Sequence, residues 1–549
     1  MSETLPAAAG PASSQGGAPD ERNSLARGSA AMASGSLASR ILGVIRNSMI
    51  VALFAHSIAG DAWEVANALP TTVYTLLAGG VVNAVLVPQI TRAARREDGG
   101  RDFVDRLITV SLLGLLGVTL LAVPLAPLLV RIFASPTWSP ETFDLSVQFA
   151  RIVLVAVFFY GLYAVLGQVL TARNRFGAYG WAPALANVVW IIGLTVFFVR
   201  YPGLGREVGD WNEPMILLLG GSLTVGVALQ ALILLVPLYR DGWRYRPRFG
   251  FRGVGLGTAG RVAGWTVAAL AVTQAALAVA SQTLTSVQGQ GVGRLGYDQA
   301  FFLFATPHGL LTVSLVTALF PAMSRSAASR DLPAMRGNLR RGLRLLAVAT
   351  IPTTIAGLCL AKAGTRVVFA GNTSDVTDGI AAVFSVLILA LFAYGVLFLV
   401  QRAFYAFEDA KTPFYLSLIA AGVFAVGALA SLLLPPESRA LGVAAAATVS
   451  DLIAAWVGLR WVRGRLGGMR MLDVAEVSTR TLFASLAAGL ATLAVVAVFQ
   501  AFLPGRVGAL MTLLLGGAAF VGVFLVLSRW LRVGEVGEVL APITRRLRR

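Results

Sequence analysis

Four charged side chains lie within a hydrophobic stretch near the start of the chain. Arg40, Arg46, Asp61 and Glu64 fall between residues 40 and 88, where the sequence is otherwise apolar enough to enter a membrane. An arginine at the bilayer centre costs about 2.5–3.5 kcal/mol on insertion scales, so such residues usually face a bundle interior or a polar cavity. The pattern predicts a polar site for an anionic ligand inside the bilayer.

Arginine suits such a ligand because its planar guanidinium makes paired bonds to phosphate and keeps its charge in apolar surroundings. Arg40 and Arg46 are six residues apart, which on a helix is roughly 120° of rotation and about 9 Å of rise. Both could therefore border one wide cavity. Glu64 and Asn67 follow Asp61 by about one and two turns on a similar face, as expected for a polar cavity wall.

Simpler interpretations compete at these positions. If the first helix began near Ile41, Arg40 would extend to the cytoplasmic interface, and Arg46 could do the same less easily. Asp61 follows Gly60 at the start of an apolar run, so it could be an ordinary helix N-cap. Lys362 and Asp451 are further charges in apolar segments. Each is either an interfacial residue or part of a substrate or ion pathway.

The elements that position these side chains follow from composition and length. The chain has 549 residues, of which 56% are hydrophobic and 13% charged, so it is predicted to be an all-α polytopic membrane protein. Apolar runs of about 20 residues match the thickness of a bilayer. Fourteen such spans are predicted, numbered 1 to 14, at 31–55, 61–89, 105–131, 144–171, 181–199, 214–238, 259–287, 296–323, 343–366, 379–406, 413–434, 440–460, 478–502 and 507–530.

Basic residues are concentrated in alternate loops, and intervening loops near 56–60, 132–143 and 367–378 contain no Lys or Arg. Because Lys and Arg are retained on the cytoplasmic side, both termini are predicted to be cytoplasmic. The same topology explains the net charge of +18, so no nucleic-acid partner is expected. The basic loops contain Arg92, Arg95, Arg96 and Arg101; Arg240, Arg244, Arg246, Arg248 and Arg252; Arg325, Arg330, Arg336, Arg340 and Arg341; and Arg463, Arg465 and Arg470.

The sequence contains no pattern that indicates an enzyme. Cys359 is the single cysteine, and His56 and His308 are far apart, so no metal site, cofactor or catalytic residue is predicted. No phosphate-binding Walker loop, nucleophile elbow or metalloprotease motif is present. These absences argue against ATP-driven transport and hydrolysis.

An internal repeat organises the spans. Residues around Pro88, at the end of span 2, match those around Pro321 in span 8, and Tyr160-Gly161 matches Tyr394-Gly395 at nearly the same offset of about 233 residues. The sequence therefore predicts two halves of six helices each. Because six is even, both halves have the same orientation in the membrane, as a parallel pseudo-two-fold repeat. The predicted domains are a disordered cytoplasmic tail at 1–30, an N-lobe at 31–240, a C-lobe at 241–460, spans 13 and 14 at 461–531, and a basic cytoplasmic tail at 532–549.

Three motifs resemble a known family. SRILGVIRN at 39–47, DAWEVANALP at 61–70 and the LVPQ that precedes the basic loop are similar to the MurJ/MviN lipid II flippases of the multidrug/oligosaccharidyl-lipid/polysaccharide exporter superfamily. The resemblance implies two lobes around a central cavity, with spans 13 and 14 forming a lipid-tail groove. It also implies alternating-access movement of the peptidoglycan precursor lipid II from the inner to the outer leaflet of the bacterial plasma membrane.

The same resemblance assigns roles to individual residues. Arg40 and Arg46 match the family's substrate-binding pair, and Asp61 matches its functionally important acid. The implied partners are lipid II, membrane lipid and proteins of cell-wall synthesis. The chain departs from the family pattern at Tyr74 and Phe302, where arginines are common, and at Gly79, where an acid is common. Acidic and amide residues of a sodium site are not evident in spans 7 and 11, so Na⁺, H⁺ and membrane potential all stay open as energy sources.

Other functions are compatible with this pattern. The chain could export a different polyprenyl-linked glycan or an amphipathic drug, or act as a non-transporting scaffold for cell-wall enzymes through its basic loops. Substitution of Arg46 by alanine separates these hypotheses, because a scaffold should tolerate the change. The predominance of Arg over Lys, with abundant Ala and Gly, suggests a high-GC bacterial coding sequence, which an actinobacterial source would fit.

Overall fold

The computed structural model describes residues 19–77, 101–173, 175–248, 260–503 and 505–539, and every regular element among them is helical. Short 3₁₀ segments cover Val208–Asp210 and Ser431–Leu433, and a π-helical turn covers His308–Val313. The α-helices are α1 Pro19–Phe54, α2 Ile58–Leu77, α3 Arg101–Ala122, α4 Ala126–Phe133, α5 Pro140–Val153, α6 Ala156–Ala172, α7 Phe176–Arg200, α8 Glu213–Leu232, α9 Leu235–Arg240, α10 Gly260–Thr285, α11 Arg294–Pro307, α12 Ser314–Ala328, α13 Leu332–Val368, α14 Ser374–Ile388, α15 Leu391–Ala406, α16 Lys411–Ala430, α17 Pro436–Arg465, α18 Leu472–Phe502 and α19 Arg506–Trp530.

The predicted all-helical membrane architecture is confirmed. Eleven helical segments in the described residues are long and apolar enough to cross a membrane, and two bent pairs raise the number to 13. These thirteen correspond to the predicted spans other than span 2. Helix α2 begins span 2, whereas its predicted end near Pro88, together with Gly79 and Gly80, lies outside the described residues.

Two spans are bent rather than straight. Span 3 is divided into α3 and α4, which meet at 73° around Pro124. Proline has no amide hydrogen to donate and its ring clashes with the preceding turn, which accounts for this break. Span 10 bends by 47° between α14 and α15, where the sequence contains no proline. Pro307 immediately precedes the π-helical turn in span 8.

Helix α1 begins earlier than predicted. Its helical backbone starts at Pro19, inside the predicted tail at 1–30, whose residues 1–18 lie outside the described part of the chain. No proline follows Pro19 within the helix to interrupt it. The apolar part of α1 covers Ala31–Phe54, so Arg40 lies well inside it. The interpretation of Arg40 as a residue at the start of the helix is therefore wrong.

The chain divides into two compact units, with the boundary between Leu295 and Gly296. The N-unit contains α1 to α10, and its largest apolar core surrounds the fully buried side chain of Trp63. The C-unit contains α12 to α19, and a major core packs α13, α15 and α17 around Leu343 and Leu399. The lobe boundaries at 240 and 460 stay predictions; the N-unit also contains α10.

Close backbone packing joins α1 to α7 in the N-unit. A Cβ atom at Gly35 would lie 2.6 Å from the backbone of Gly180, and a Cβ atom at Gly180 would lie 2.7 Å from the backbone of Met32. Small residues permit such approach between membrane helices. Gly43, in contrast, faces space in which an added Cβ would meet no atom within 4 Å. Of these two glycines in α1, only Gly35 is required by packing.

The two units contain an equivalent aromatic pair, which supports the predicted repeat. In the N-unit, the rings of Tyr74 and Tyr160 have centroids 6.1 Å apart. In the C-unit, the rings of His308 and Tyr394 have centroids 4.4 Å apart. Both members of the second pair follow those of the first by 234 residues, close to the offset found in the sequence. The pair therefore joins spans 2 and 4 in one unit and spans 8 and 10 in the other.

Candidate functional site

Arg46 is held by amide side chains inside the N-unit. Its Nη1 donates to Oδ1 of Asn187 at 2.8 Å, and its Nη2 and Nε donate to Oδ1 of Asn47 at 2.8 and 3.1 Å. Asn47 is adjacent on α1, whereas Asn187 lies on α7, and both asparagines are buried. An amide oxygen carries no net charge. These bonds therefore fix the orientation of the guanidinium and add no negative charge of their own.

Asn187 also bonds to the other end of the SRILGVIRN motif. Its Nδ2 donates to the backbone oxygen and to Oγ of Ser39, each at 3.1 Å. Ser39 and Asn47 are therefore linked through Asn187 and Arg46 over about two turns of α1. The motif thus forms one hydrogen-bonded face of α1 against α7, close to the Gly35 packing site.

A tryptophan also contacts Arg46. The guanidinium carbon Cζ lies 4.5 Å from the ring centroid of Trp190, a cation–π contact. Trp190 in turn packs against Trp63 of α2, with centroids 6.0 Å apart, and Trp63 contacts Phe54 and Phe149. The arginine therefore lies next to a rigid aromatic core that joins α1, α2, α5 and α7.

Asp61 does not cap the helix in which it lies. Oγ of Ser57, the residue before α2, accepts a hydrogen bond from the backbone nitrogen of Gly60 at 3.1 Å, which is the N-cap arrangement. Asp61 instead accepts a bond on Oδ1 from the backbone nitrogen of Leu295 at 3.0 Å, in the first turn of α11. The interpretation of Asp61 as the N-cap of its own helix is therefore wrong.

Gly293 makes room for the Asp61 carboxylate. A Cβ atom at Gly293 would overlap both carboxylate oxygens, and Asp61 is only 2% exposed. Amide groups in the first turn of a helix have no intrahelical partners, and a negative charge there interacts favourably with the helix dipole. The buried carboxylate thus holds Gly293 and Leu295 against the beginning of α2, within the N-unit.

Glu64 and Asn67 form a local pair on α2. Nδ2 of Asn67 lies 3.3 Å from each carboxylate oxygen of Glu64, three residues earlier. Glu64 is almost fully buried, whereas Asn67 is half-buried. The predicted common face is therefore present, but its acidic members are enclosed by protein.

The predicted residues are distributed over both units. Arg40 is half-buried on α1, and Tyr74 lies on α2 beside Tyr160. Lys362 on α13 and Asp451 on α17 belong to the C-unit. Among the residues that the structure describes, no group of three or more His, Cys, Asp or Glu side chains is placed to hold a metal ion. The assignment of the five binding residues stays a prediction.

Sequence reasoning missed Asn187, Trp190 and Gly293. Asn187 is a polar residue in the middle of apolar span 5, which was a usable signal, and Trp190 lies three residues later on a neighbouring position of the same face. Gly293 carries no local signal, because its role depends on a carboxylate more than 200 residues away. Chemically, the arrangement offers an oriented guanidinium within a membrane span, suited to binding an anionic oxygen.

Comparison with known proteins identifies relatives over most of the chain. A family model described as lipid II flippase MurJ matches residues 50–514. A Synechocystis sp. protein named probable lipid II flippase MurJ is 26% identical over 477 residues, which cover 84% of this chain and 87% of the relative. A Rhizobium tropici protein with the same name is 26% identical over 437 residues, 77% of each chain.

Solved structures show the same fold. A lipid II flippase MurJ in an inward closed conformation matches with a TM-score of 0.69 and 20% identity, covering 91% of this chain and 99% of that one. An inward-facing multidrug resistance MATE family transporter of the MOP superfamily matches with a TM-score of 0.64 and 15% identity, covering 78% and 94%. Since the family model covers most of the sequence, the family expected from the motifs is confirmed, and the chain belongs to the lipid II flippase MurJ family.

Proposed function

We propose that this protein flips lipid II from the inner to the outer leaflet of the bacterial plasma membrane, as a transporter without a catalytic step of its own. The observation that carries the proposal is the oriented guanidinium of Arg46 within a membrane span, in a chain that belongs to the MurJ family. Lipid II supplies the matching chemistry, because its pyrophosphate is a multivalent anion that apolar lipid does not solvate. Alternate basic loops support cytoplasmic positions for both termini.

In the proposed mechanism, Arg46 binds the pyrophosphate while the isoprenoid tail stays in lipid. Asn47 and Asn187 preorganise the guanidinium, and stacking on Trp190 restricts its motion. Arg40, on the same helix, supplies a second positive charge. Alternating access then exposes the polar site first to one side of the membrane and then to the other.

The test is rescue of a bacterium depleted of its own lipid II flippase. Wild type is compared with Arg46→Ala, Arg46→Lys and the control Arg200→Ala, which removes an exposed arginine at the end of α7 in the same unit. Membrane levels of all four proteins are matched by quantitative immunoblotting. Leaflet distribution of lipid II is then measured in the rescued cells.

We expect wild type and Arg200→Ala to rescue and Arg46→Ala to fail at equal abundance. Arg46→Lys should rescue in part, because lysine keeps the charge but lacks the planar fork that reaches both asparagines. Full rescue by Arg46→Ala would contradict the assignment of Arg46. Failure of wild type despite correct insertion would contradict the function itself and favour export of another lipid-linked glycan.

A further inference from the structure

A second cationic site lies in the C-unit, at the end of α13 opposite its arginine-rich beginning. Lys362 and Arg366 are four residues apart and face Asp378, close to the start of α14. Arg366 binds the carboxylate through two bonds, from Nε to Oδ1 at 3.2 Å and from Nη2 to Oδ2 at 3.1 Å. Nζ of Lys362 lies 3.5 Å from Oδ2. The carboxylate therefore gathers both cations on one face.

The two cations are not equally available. Arg366 directs two of its donors to Asp378, whereas the Lys362 side chain is 62% exposed and has only the longer contact. Lys362 lies six residues before the end of α13, about 9 Å along the axis. From that position a lysine reaches the interface between hydrocarbon and headgroups. Lys362 is thus the group presented to the surroundings, and the Arg366–Asp378 pair positions it.

A cavity of about 210 Å³ opens beside Lys362. It lies between α13, α14 and α18, where Lys362 and Ser385 give it a polar side. Its other lining residues are small or aliphatic. They include Cys359 and Ala361 from α13, Ala381 and Ala382 from α14, and Val496 from α18. Cavities that enclose a whole drug-sized ligand occupy about 300–1,000 Å³. This one is large enough only for a segment of a chain or a small group.

We propose that Lys362 and this cavity bind an anionic phospholipid of the bilayer, with the phosphodiester at Nζ and a segment of one acyl chain in the cavity. The charges select this ligand: two cations and one carboxylate leave a net charge of +1, which complements a monoanionic phosphodiester. Basic pockets between membrane helices on the cytoplasmic side are known sites for anionic lipid headgroups, and we apply the same charge complementarity to this end of α13. A pyrophosphate would leave unbalanced negative charge, and a glycopeptide head would exceed the volume.

The experiment measures lipid retention and does not depend on flippase activity, so it can succeed or fail independently of the proposed function. The full-length protein is reconstituted in nanodiscs with equal amounts of phosphatidylglycerol and phosphatidylcholine, and bound lipids are counted by native mass spectrometry. Lys362→Gln is compared with Lys411→Gln, because these are the only two lysines of the chain and Lys411 is exposed at the start of α16. Ala382→Trp narrows the cavity and leaves all charges in place.

We expect wild type and Lys411→Gln to retain phosphatidylglycerol in preference to phosphatidylcholine. Lys362→Gln should lower that preference about fivefold, the effect of one basic residue near a membrane surface. Ala382→Trp should lower retention of both lipids. The proposal is overturned if Lys362→Gln and Lys411→Gln behave alike, if inorganic phosphate displaces the lipid, or if an undecaprenyl pyrophosphate displaces it at equimolar concentration.

Discussion

Removal of the Asp61 carboxylate should loosen the first turn of α11 before it affects any other helix. In the structure, Oδ1 accepts a bond from the backbone nitrogen of Leu295 at 3.0 Å, and the carboxylate is 2% exposed. The Leu295 amide has no intrahelical acceptor because it lies in the first turn. In Asp61→Ala this amide therefore loses its hydrogen bond to α2.

The magnitude follows from the type of bond. A hydrogen bond to a charged group contributes about 1.5–3 kcal/mol. Since 1.4 kcal/mol corresponds to a factor of ten, the exchange protection of the Leu295 amide should fall about 10- to 150-fold in Asp61→Ala. Asp61→Asn keeps an acceptor oxygen and loses the charge, so its effect should lie between wild type and the alanine variant.

The assay is hydrogen–deuterium exchange with mass spectrometry on the full-length protein in nanodiscs. Asp210→Ala serves as a control, because Asp210 also accepts backbone bonds in the N-unit, from Gly205 at 2.9 Å and Glu207 at 3.1 Å. The control should deprotect the loop around residue 205 and leave Leu295 unchanged. Unchanged protection of Leu295 in Asp61→Ala would refute the capping role. If rescue of a flippase-depleted strain were lost at the same time, Asp61 would act on the substrate.

Two further perturbations test a packing contact in the N-unit and ion pairs in the C-unit. Gly35→Ala should reduce the amount of folded protein in detergent extracts, since its Cβ would meet the Gly180 backbone at 2.6 Å. Gly43→Ala should be neutral or mildly stabilising, because its Cβ meets open space. Equal yields of the two variants would contradict the close crossing of α1 and α7. Arg344→Ala removes ion pairs to Asp473 at 3.8 Å and Glu535 at 3.5 Å, with the arginine 31% exposed. This variant should lower the free energy of unfolding by less than about 1 kcal/mol at low salt, and the difference from wild type should vanish at about 1 M salt. A large loss of stability that does not depend on salt would show that Arg344 acts through packing.

The helical spans were predictable because the relevant information is local. A run of about 20 apolar residues must satisfy its backbone as a helix in lipid, whatever its neighbours are. For the same reason the fold class followed from composition, and the family followed from contiguous motifs at 39–47 and 61–70. The bend of span 3 has a local cause in Pro124, but the bend of span 10 has none in the sequence.

The sequence by itself thus determined that this chain crosses a membrane many times and carries arginines in its first span. Only the tertiary structure decided what surrounds them. Arg46 meets Asn187 across 141 residues, and Asp61 meets Leu295 across 234 residues. The physical reason is that buried polar groups must find partners wherever the packed helices place them, and that choice depends on which helix faces cross. No local pattern specifies it.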